Sequence, residues 1–302
     1  MEIGVIGVGS MGRNHVRVYS EMKGVGAVYI YDSLAQNAEK AREYATVCPS
    51  LEDLLDKVDA VSICVPTKFH FQVAKQVIEK GVSCLIEKPV TLRAEEGVEL
   101  LKILDSADVV AGVGHIERFN PIVDEIKKIA DKPAYVEIKR HNPSSNRITD
   151  ASVVEDLMIH DIDIVFNVLF PGKEYKIYSA GNRNVCEAMV VFENSVVALS
   201  ASRMASKKFR TMYLEEEEFT AEGDFMAQDV YVYRKPGKYG IENERYTQEN
   251  IIEKVLVNKV EPLKVELKTF VECVRKGETF PVTPKEALNN LLICELIGRG
   301  IR

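Results

Sequence analysis

The chain has 302 residues, 46% of them hydrophobic and 28% charged, a size and composition for about two domains that exclude wholesale disorder and collagen-like repeats. Its 39 Lys and Arg stand against 46 Asp and Glu, a net charge of −7, so nucleic acid is not an expected partner. No apolar run reaches the roughly 20 residues that span a bilayer, and no signal-type segment opens the chain. Six scattered Cys form no C-x-x-C. The expectation is a cytoplasmic protein with no membrane partner, disulfide or metal.

Over the first 115 residues, short apolar runs alternate with amphipathic stretches, the pattern of a parallel sheet wrapped by helices. Strands are predicted at 3–6, 28–31, 60–65, 83–86 and 109–113. Helices are predicted at 12–19, 34–44, 69–80 and 94–104, with Gly81 as a left-handed stop. Beyond Asn120 the texture changes. A helix is expected at 122–129 and another at 153–169, the second opened by a Ser152–Glu155 capping box. Alternating β-rich runs follow or intervene at 134–140, 176–180, 185–192, 196–202, 209–214 and 225–233. Asn194-Ser195 and Glu222-Gly223-Asp224 read as their turns. Helices at 264–275 and 284–297 close the chain, the latter with Thr283 as cap, Pro284 first and Glu286 completing the box.

Gly7-Val8-Gly9-Ser10-Met11-Gly12 fits G-x-G-x-x-G, and it follows a predicted strand and opens a helix. Gly7 would allow the tight turn, Gly9 close approach of backbone to a pyrophosphate, and Gly12 close helix–sheet packing. The amides of Ser10, Met11 and their neighbours would face the phosphates. Asp32 stands 20 positions after Gly12, where a carboxylate accepts from the adenosine ribose diol and repels a 2′-phosphate, so the expected cofactor is NAD. An Asp there also suits a helix N-cap. The expected fold class is α/β. A Rossmann doubly wound parallel sheet would occupy residues 1–118. An α+β domain with a large, mainly antiparallel open sheet would occupy 119–302, for substrate binding and oligomerisation.

Four signals in chain order carry a family resemblance: GVGSMG, then VPTKFH, then Glu87-Lys88-Pro89, then the segment 156–163. The chain resembles the Gfo/Idh/MocA family of nicotinamide-dependent oxidoreductases. The resemblance implies that Pro66, Thr67 and His70 face the cofactor, although His70 could instead simply start a helix. It implies that Glu87 and Lys88 lie at the nicotinamide, and that Pro89, often after a cis bond, presents Lys88 to the substrate. A Lys at the carboxyl end of a parallel strand is placed where ligands bind in open α/β sheets, and it could polarise a hydroxyl.

Asp156, His160 and Asp163 stand at i, i+4 and i+7 and would share one helix face. A carboxylate one turn before a His fixes its tautomer and raises its basicity, though a plain surface ion pair has the same spacing. The resemblance implies that His160 is the base and Asp156 its partner.

The run G-H-I-E-R-F-N-P at 114–121 resembles the branch of the family that oxidises nucleotide-linked amino sugars, which puts Arg118 and Asn120 at the substrate. Residues 139–147 hold Lys139, Arg140 and Arg147 and no acid, a loop suited to a diphosphate through Arg140 and Arg147. A basic loop facing solvent or another subunit remains open. The reading is an NAD-dependent dehydrogenase acting on a ring hydroxyl of a nucleotide-linked amino sugar. Oxidation of a free polyol such as inositol is the alternative, and a non-catalytic NAD-binding sensor is another. The resemblance implies a homodimer or homotetramer.

Overall fold

The computed structural model describes residues 1–147, 151–237, 239–242 and 245–301. For residues 146, 147, 239, 241, 242, 246 and 247 it describes the backbone alone. The chain divides into two compact units. In the first, β1 (Ile3–Ile6), α1 (Ser10–Ser20), β2 (Val28–Tyr31), α2 (Ala35–Glu39), β3 (Thr46–Val47), α3 (Leu51–Leu55), β4 (Ala60–Ile63), α4 (His70–Glu79), β5 (Ser83–Glu87), α5 (Ala94–Leu104) and β6 (Ala111–Gly114) follow one another. Their six strands are parallel, in the order β3-β2-β1-β4-β5-β6. That is the Rossmann order, and its reversal lies between β1 and β4. Every residue of β1 and β4 is buried, which is why those runs are uniformly apolar or small. Two elements escaped the sequence reading. β3 has two residues and α3 five, too few for either period to show.

In the second unit α6 (Pro121–Ile129), β7 (Tyr135–His141), α7 (Ile159–Ile164), β8 (Lys176–Asn182), β9 (Val185–Val191), β10 (Val196–Ser202), β11 (Phe209–Glu215), β12 (Phe219–Asp224), β13 (Asp229–Arg234), β14 (Tyr239–Glu242), β15 (Arg245–Gln248) and β16 (Ile251–Val255) follow in turn. Eight strands form one sheet, β16-β13-β12-β11-β7-β10-β9-β8. All its pairs are antiparallel except β10 with β7. Strict alternation on β7 buries Val136, Ile138 and Arg140 and leaves Tyr135, Glu137 and Lys139 half-exposed. The buried face packs on Ile122, Ile126, Leu157 and Ile162.

Three expectations change here. The predicted helix 153–169 is present, but α7 is flanked by wide π-helical turns, Val154–Met158 and Val165–Leu169. Such turns are frequent at functional sites. The reversal expected at 222–224 lies instead after β12, at 225–228, where Gln228 has φ +54°. Asp224 Oδ1 accepts from the Met226 and Ala227 amides there at 2.8 Å each. Gly223 lies within the strand, paired with Met212 and Val230, and a Cβ there would stand 3.1 and 3.3 Å from the Ile126 and Ile122 methyls. β16 was not foreseen: four of its five side chains are exposed, so it joins the sheet through its backbone and shows no apolar alternation.

The last two helices are α8 (Pro262–Lys276) and α9 (Pro284–Gly298). The Thr283–Glu286 box forms, with the Glu286 amide donating to Thr283 Oγ1 at 3.2 Å and the Thr283 amide to Glu286 Oε2 at 3.0 Å. The first unit comprises Met1–Phe119 together with Glu261–Leu292, which corrects the division into 1–118 and 119–302. Leu263, Leu267, Phe270 and Val271 of α8 bury themselves in the Rossmann core. At about 1.5–3 kcal/mol per buried apolar side chain, this holds α8 with the first unit despite its place in sequence. Among the described residues no helix is long and apolar enough to cross a membrane.

Candidate active site

At the end of β1 three glycines meet three different demands. Gly7 has φ +87°, and a Cβ there would lie 2.7 Å from the Val65 amide nitrogen. A Cβ on Gly12 would come within 1.9 Å of Gly7 O, so α1 could not pack so close. A Cβ on Gly9 would meet nothing within 4 Å, so this position opens outward. Gly9 caps α1 with no side-chain hydrogen bond, and an N-terminus of this kind suits phosphate oxygens. Asp32 follows β2. Its Oδ2 accepts from the Val8 amide at 2.7 Å and from Asn37 Nδ2 at 3.3 Å, and its Oδ1 accepts from the Leu34 amide at 2.8 Å. The carboxylate therefore ties the glycine loop to the second strand and orders the turn into α2. The open space over Gly9, the uncapped α1 amides and an acid beyond β2 together fit a dinucleotide.

The loops after β4 and β5 follow. Pro66 is exposed, and half-buried Thr67 opens a short 3₁₀ turn, Thr67–Phe69. His70 is different: it is 1% exposed, with Nδ1 2.8 Å from Pro89 O and Nε2 2.9 Å from Val65 O. Burial holds its pKa below the ordinary value, against the two carbonyls, which raise it. The expectation that His70 faces the cofactor is corrected. A neutral ring has one N–H, which donates to one of the two carbonyls, so the buried ring packs between the two loops and bonds one of them.

Glu87 also turns inward. Its Oε1 accepts from His15 Nε2 at 3.0 Å and its Oε2 from the Lys88 amide at 3.3 Å, with the side chain 12% exposed. Burial would raise its pKa, but the His15 hydrogen bond and neighbouring positive charge bring it below the ordinary value. The Glu87 carboxylate thus faces α1 and the Lys88 backbone. Lys88 itself follows β5 directly, is half-buried, and is joined to Pro89 by a cis peptide. Arg118 Nη1 stands 3.7 Å from Glu286 Oε1 in the same unit, so its charge faces an acid.

In the second unit, Asp156 lies in the first wide turn. The Ser145 hydroxyl donates to its Oδ2, and Arg203 Nη2 stands 3.9 Å away while donating to Ala151 O at 3.2 Å. Neither Ser145 nor Arg203 was singled out from sequence. The available signal was a lone Arg directly after the apolar run of β10. His160 is half-buried in the first turn of α7. Asp163, expected on the same face, is 1% exposed and accepts from Asn167 Nδ2 at 2.9 Å.

Two expected substrate residues are corrected. Arg140 is 0% exposed, with Nε and Nη2 on Asp161 Oδ1 at 2.9 and 2.6 Å and its guanidinium 5.3 Å from the Phe225 ring centre. The β7 alternation points it into the core, so it is an internal ion pair rather than a diphosphate ligand. Asn120 is 3% exposed and caps α6, accepting from the Ile122 amide at 3.4 Å and donating to Phe225 O at 3.0 Å. The side chain of Arg147 lies outside the described residues.

Together, the glycine loop, the acid after β2 and the Lys–cis-Pro turn after β5 define a nicotinamide-dependent oxidoreductase. The sequence profile of an oxidoreductase family with an NAD-binding Rossmann fold matches residues 1–115. The chain is 34% identical over 263 residues to the UDP-N-acetylglucosamine 3-dehydrogenase of Acidithiobacillus ferrooxidans, covering 81% of this chain and 82% of that one. A solved structure of UDP-N-acetylglucosamine 3-dehydrogenase from Acidithiobacillus ferrooxidans superposes with a TM-score of 0.86 at 29% identity, covering 100% of this chain and 97% of that one. An inositol 2-dehydrogenase of Corynebacterium glutamicum is 31% identical over 180 residues, 55% of this chain and 53% of that one. The chain belongs to the Gfo/Idh/MocA family of NAD-binding oxidoreductases, enzymes that act on CH–OH groups.

Proposed function

We propose that the protein is an NAD-dependent dehydrogenase of a nucleotide-linked amino sugar, oxidising a ring hydroxyl, C3, of a compound such as UDP-N-acetylglucosamine. The observation that carries this reading is the reach of the likeness. The sugar-nucleotide relative matches over 81% of the chain, whereas the inositol relative matches over 55%. Bound NAD supplies the hydride acceptor. Gly9 and the first amides of α1 would hold its pyrophosphate, over the turn that Gly7 allows and the packing that Gly12 allows, and Asp32 would hold its ribose. Lys88 Nζ donates to the substrate hydroxyl oxygen as negative charge develops there, a preorganised contact of a kind that contributes about 3 kcal/mol in the transition state. His160 takes the hydroxyl proton on a ring nitrogen. Asp156 orients that ring, and Ser145 and Arg203 steady Asp156. With Arg140 committed to Asp161, the diphosphate falls to other cations, Arg147 among them.

Six free thiols suit the reducing cytoplasm. The half-exposed face of the large sheet suits a homodimer or homotetramer, which light scattering after gel filtration would reveal. Oxidation of a free polyol is the second reading, favoured by the loss of Arg140 as an anion ligand. A panel of UDP-N-acetylglucosamine, UDP-glucose and myo-inositol with NAD, read by NADH absorbance and product mass, tests the reading. Rapid turnover of UDP-N-acetylglucosamine with loss of two hydrogens upholds it. Turnover of myo-inositol alone overturns it.

A further inference from the structure

Behind the turn that carries Lys88 lies a buried group of side chains that the mechanism above does not use. His15, from α1, is 0% exposed, and its Nε2–H donates to Glu87 Oε1 at 3.0 Å. The other carboxylate oxygen of Glu87 accepts from the backbone amide of Lys88 at 3.3 Å. One carboxylate thus bridges a helix of the Rossmann core and the residue whose ammonium the reaction calls for. Buried acids are costly unless ionic partners and hydrogen bonds compensate them, so a merely structural contact here would be served as well by an apolar pair.

The charged and titratable groups around the pair are Tyr19, Cys64, His70, Lys88 and Glu266. The Tyr19 ring lies edge-on to His15 at 6.3 Å. Burial above all pushes the Tyr19 hydroxyl and the Cys64 thiol upward, so both stay neutral near pH 7. Burial likewise keeps His70 neutral. Glu266 is buried on α8 and raises Tyr19 and Cys64 by its charge. His15 Nε2, Cys64 Sγ and a Glu87 oxygen lie within 4.8 Å of one another. A protonated thiol and an imidazole nitrogen already donating to the carboxylate make this a hydrogen-bonded cluster, not a cation site.

We propose that His15 and Glu87 are positioning residues for Lys88: His15 holds the Glu87 carboxylate in place, and that carboxylate anchors the Lys88 backbone and keeps the Lys88 ammonium protonated. This rests on the reading that Lys88 serves the substrate hydroxyl. The supporting physics is direct, since a carboxylate beside an ammonium favours the charged form of both, and the Lys88 charge is among the influences that hold Glu87 ionised.

The test reads Lys88 itself, apart from turnover. Acetic anhydride labels amines only when they are unprotonated, so the pH dependence of Lys88 acetylation, followed by peptide mass spectrometry, reports its titration. Glu87→Gln should lower that midpoint by about one pH unit, with intrinsic NADH fluorescence enhancement confirming that the variant still folds and binds. A midpoint that stays where it is in the wild type overturns the proposal. His15→Leu, with UDP-N-acetylglucosamine as probe, should lower kcat about tenfold and move the acid limb of the kcat profile to higher pH, because Glu87 then protonates more readily. His15→Gln, which can still donate to the carboxylate, should recover most of both. A His15→Leu enzyme with wild-type kcat and pH profile also overturns the proposal. If the wild type oxidises no sugar, the assignment of function falls while the acetylation midpoint still decides the charge coupling.

Discussion

Arg140 gives both Nε and Nη2 to a single oxygen, Oδ1 of Asp161, at 2.9 and 2.6 Å, and neither side chain is more than 1% exposed. The pair joins the central strand β7 to α7, the helix that carries His160. Each charge offsets part of the cost of burying the other. Helix α7 is therefore tied to the sheet by an ionic contact whose two members the sequence presents as unrelated.

Removing one member should act on stability more than on substrate binding. Arg140→Ala is expected to cost about 3–5 kcal/mol in urea unfolding, with KM for UDP-N-acetylglucosamine changed less than about threefold. Replacing both charges, as Arg140→Met with Asp161→Leu, should recover most of the loss. A selective rise in KM with stability intact would return Arg140 to the substrate.

The three glycines should separate folding from cofactor binding. Gly9→Ala places its methyl in open space, so the melting temperature should stay within a few degrees while NADH affinity, read by fluorescence titration, falls at least about tenfold. Gly12→Ala drives a methyl against Gly7 O and should lower the melting temperature as well.

Asp32 has two jobs, bracing Val8 and facing the expected ribose. Asp32→Ala should weaken NAD binding and narrow the preference for NAD over NADP, as measured by the ratio of kcat/KM values. Asp32→Asn keeps an acceptor for the Val8 amide, so it should retain more stability while still relaxing the preference.

The chemistry itself should be lost without loss of NAD. Lys88→Met or His160→Asn is expected to lower kcat on the order of 10²–10⁴-fold while NADH binding persists. Under the proposed roles, with His160 as base and Asp156 orienting it, Asp156→Asn should cost less than His160→Asn. Arg203→Met should resemble Asp156→Asn, because Arg203 Nη2 stands 3.9 Å from that carboxylate.

His70 gives the fold a pH dependence. Its pKa in the folded protein lies below the ordinary value because of burial. The unfolded chain therefore takes up a proton near pH 6.5 while the folded protein resists it. The stability from this group is present in full above pH 6.5 and is lost as pH falls toward the lower folded value. Thermal unfolding of the wild type between pH 7.5 and 5.5 should show the decline, and His70→Asn should flatten it.

Much of this protein was determined locally and could be read locally. Strands such as 3–6, 28–31 and 196–202 coincide with the observed elements, because strands buried on both faces or alternating strictly leave an apolar signature in their own residues. The tight glycine turn after β1 and the cis Lys88–Pro89 peptide were equally legible, since each depends on its own backbone and immediate neighbours. What tertiary structure decided was where each side chain pointed. Arg140 read as a substrate cation until packing gave it Asp161. His70 and Asn120 read as site residues until burial set one between two loops and made the other a cap. α8 follows the second domain in sequence yet belongs to the first unit, because its apolar stripe fits that core. Charge and periodicity are properties of a segment, whereas the partner that neutralises a charge or covers a stripe comes from residues far away in the chain, and only folding selects it.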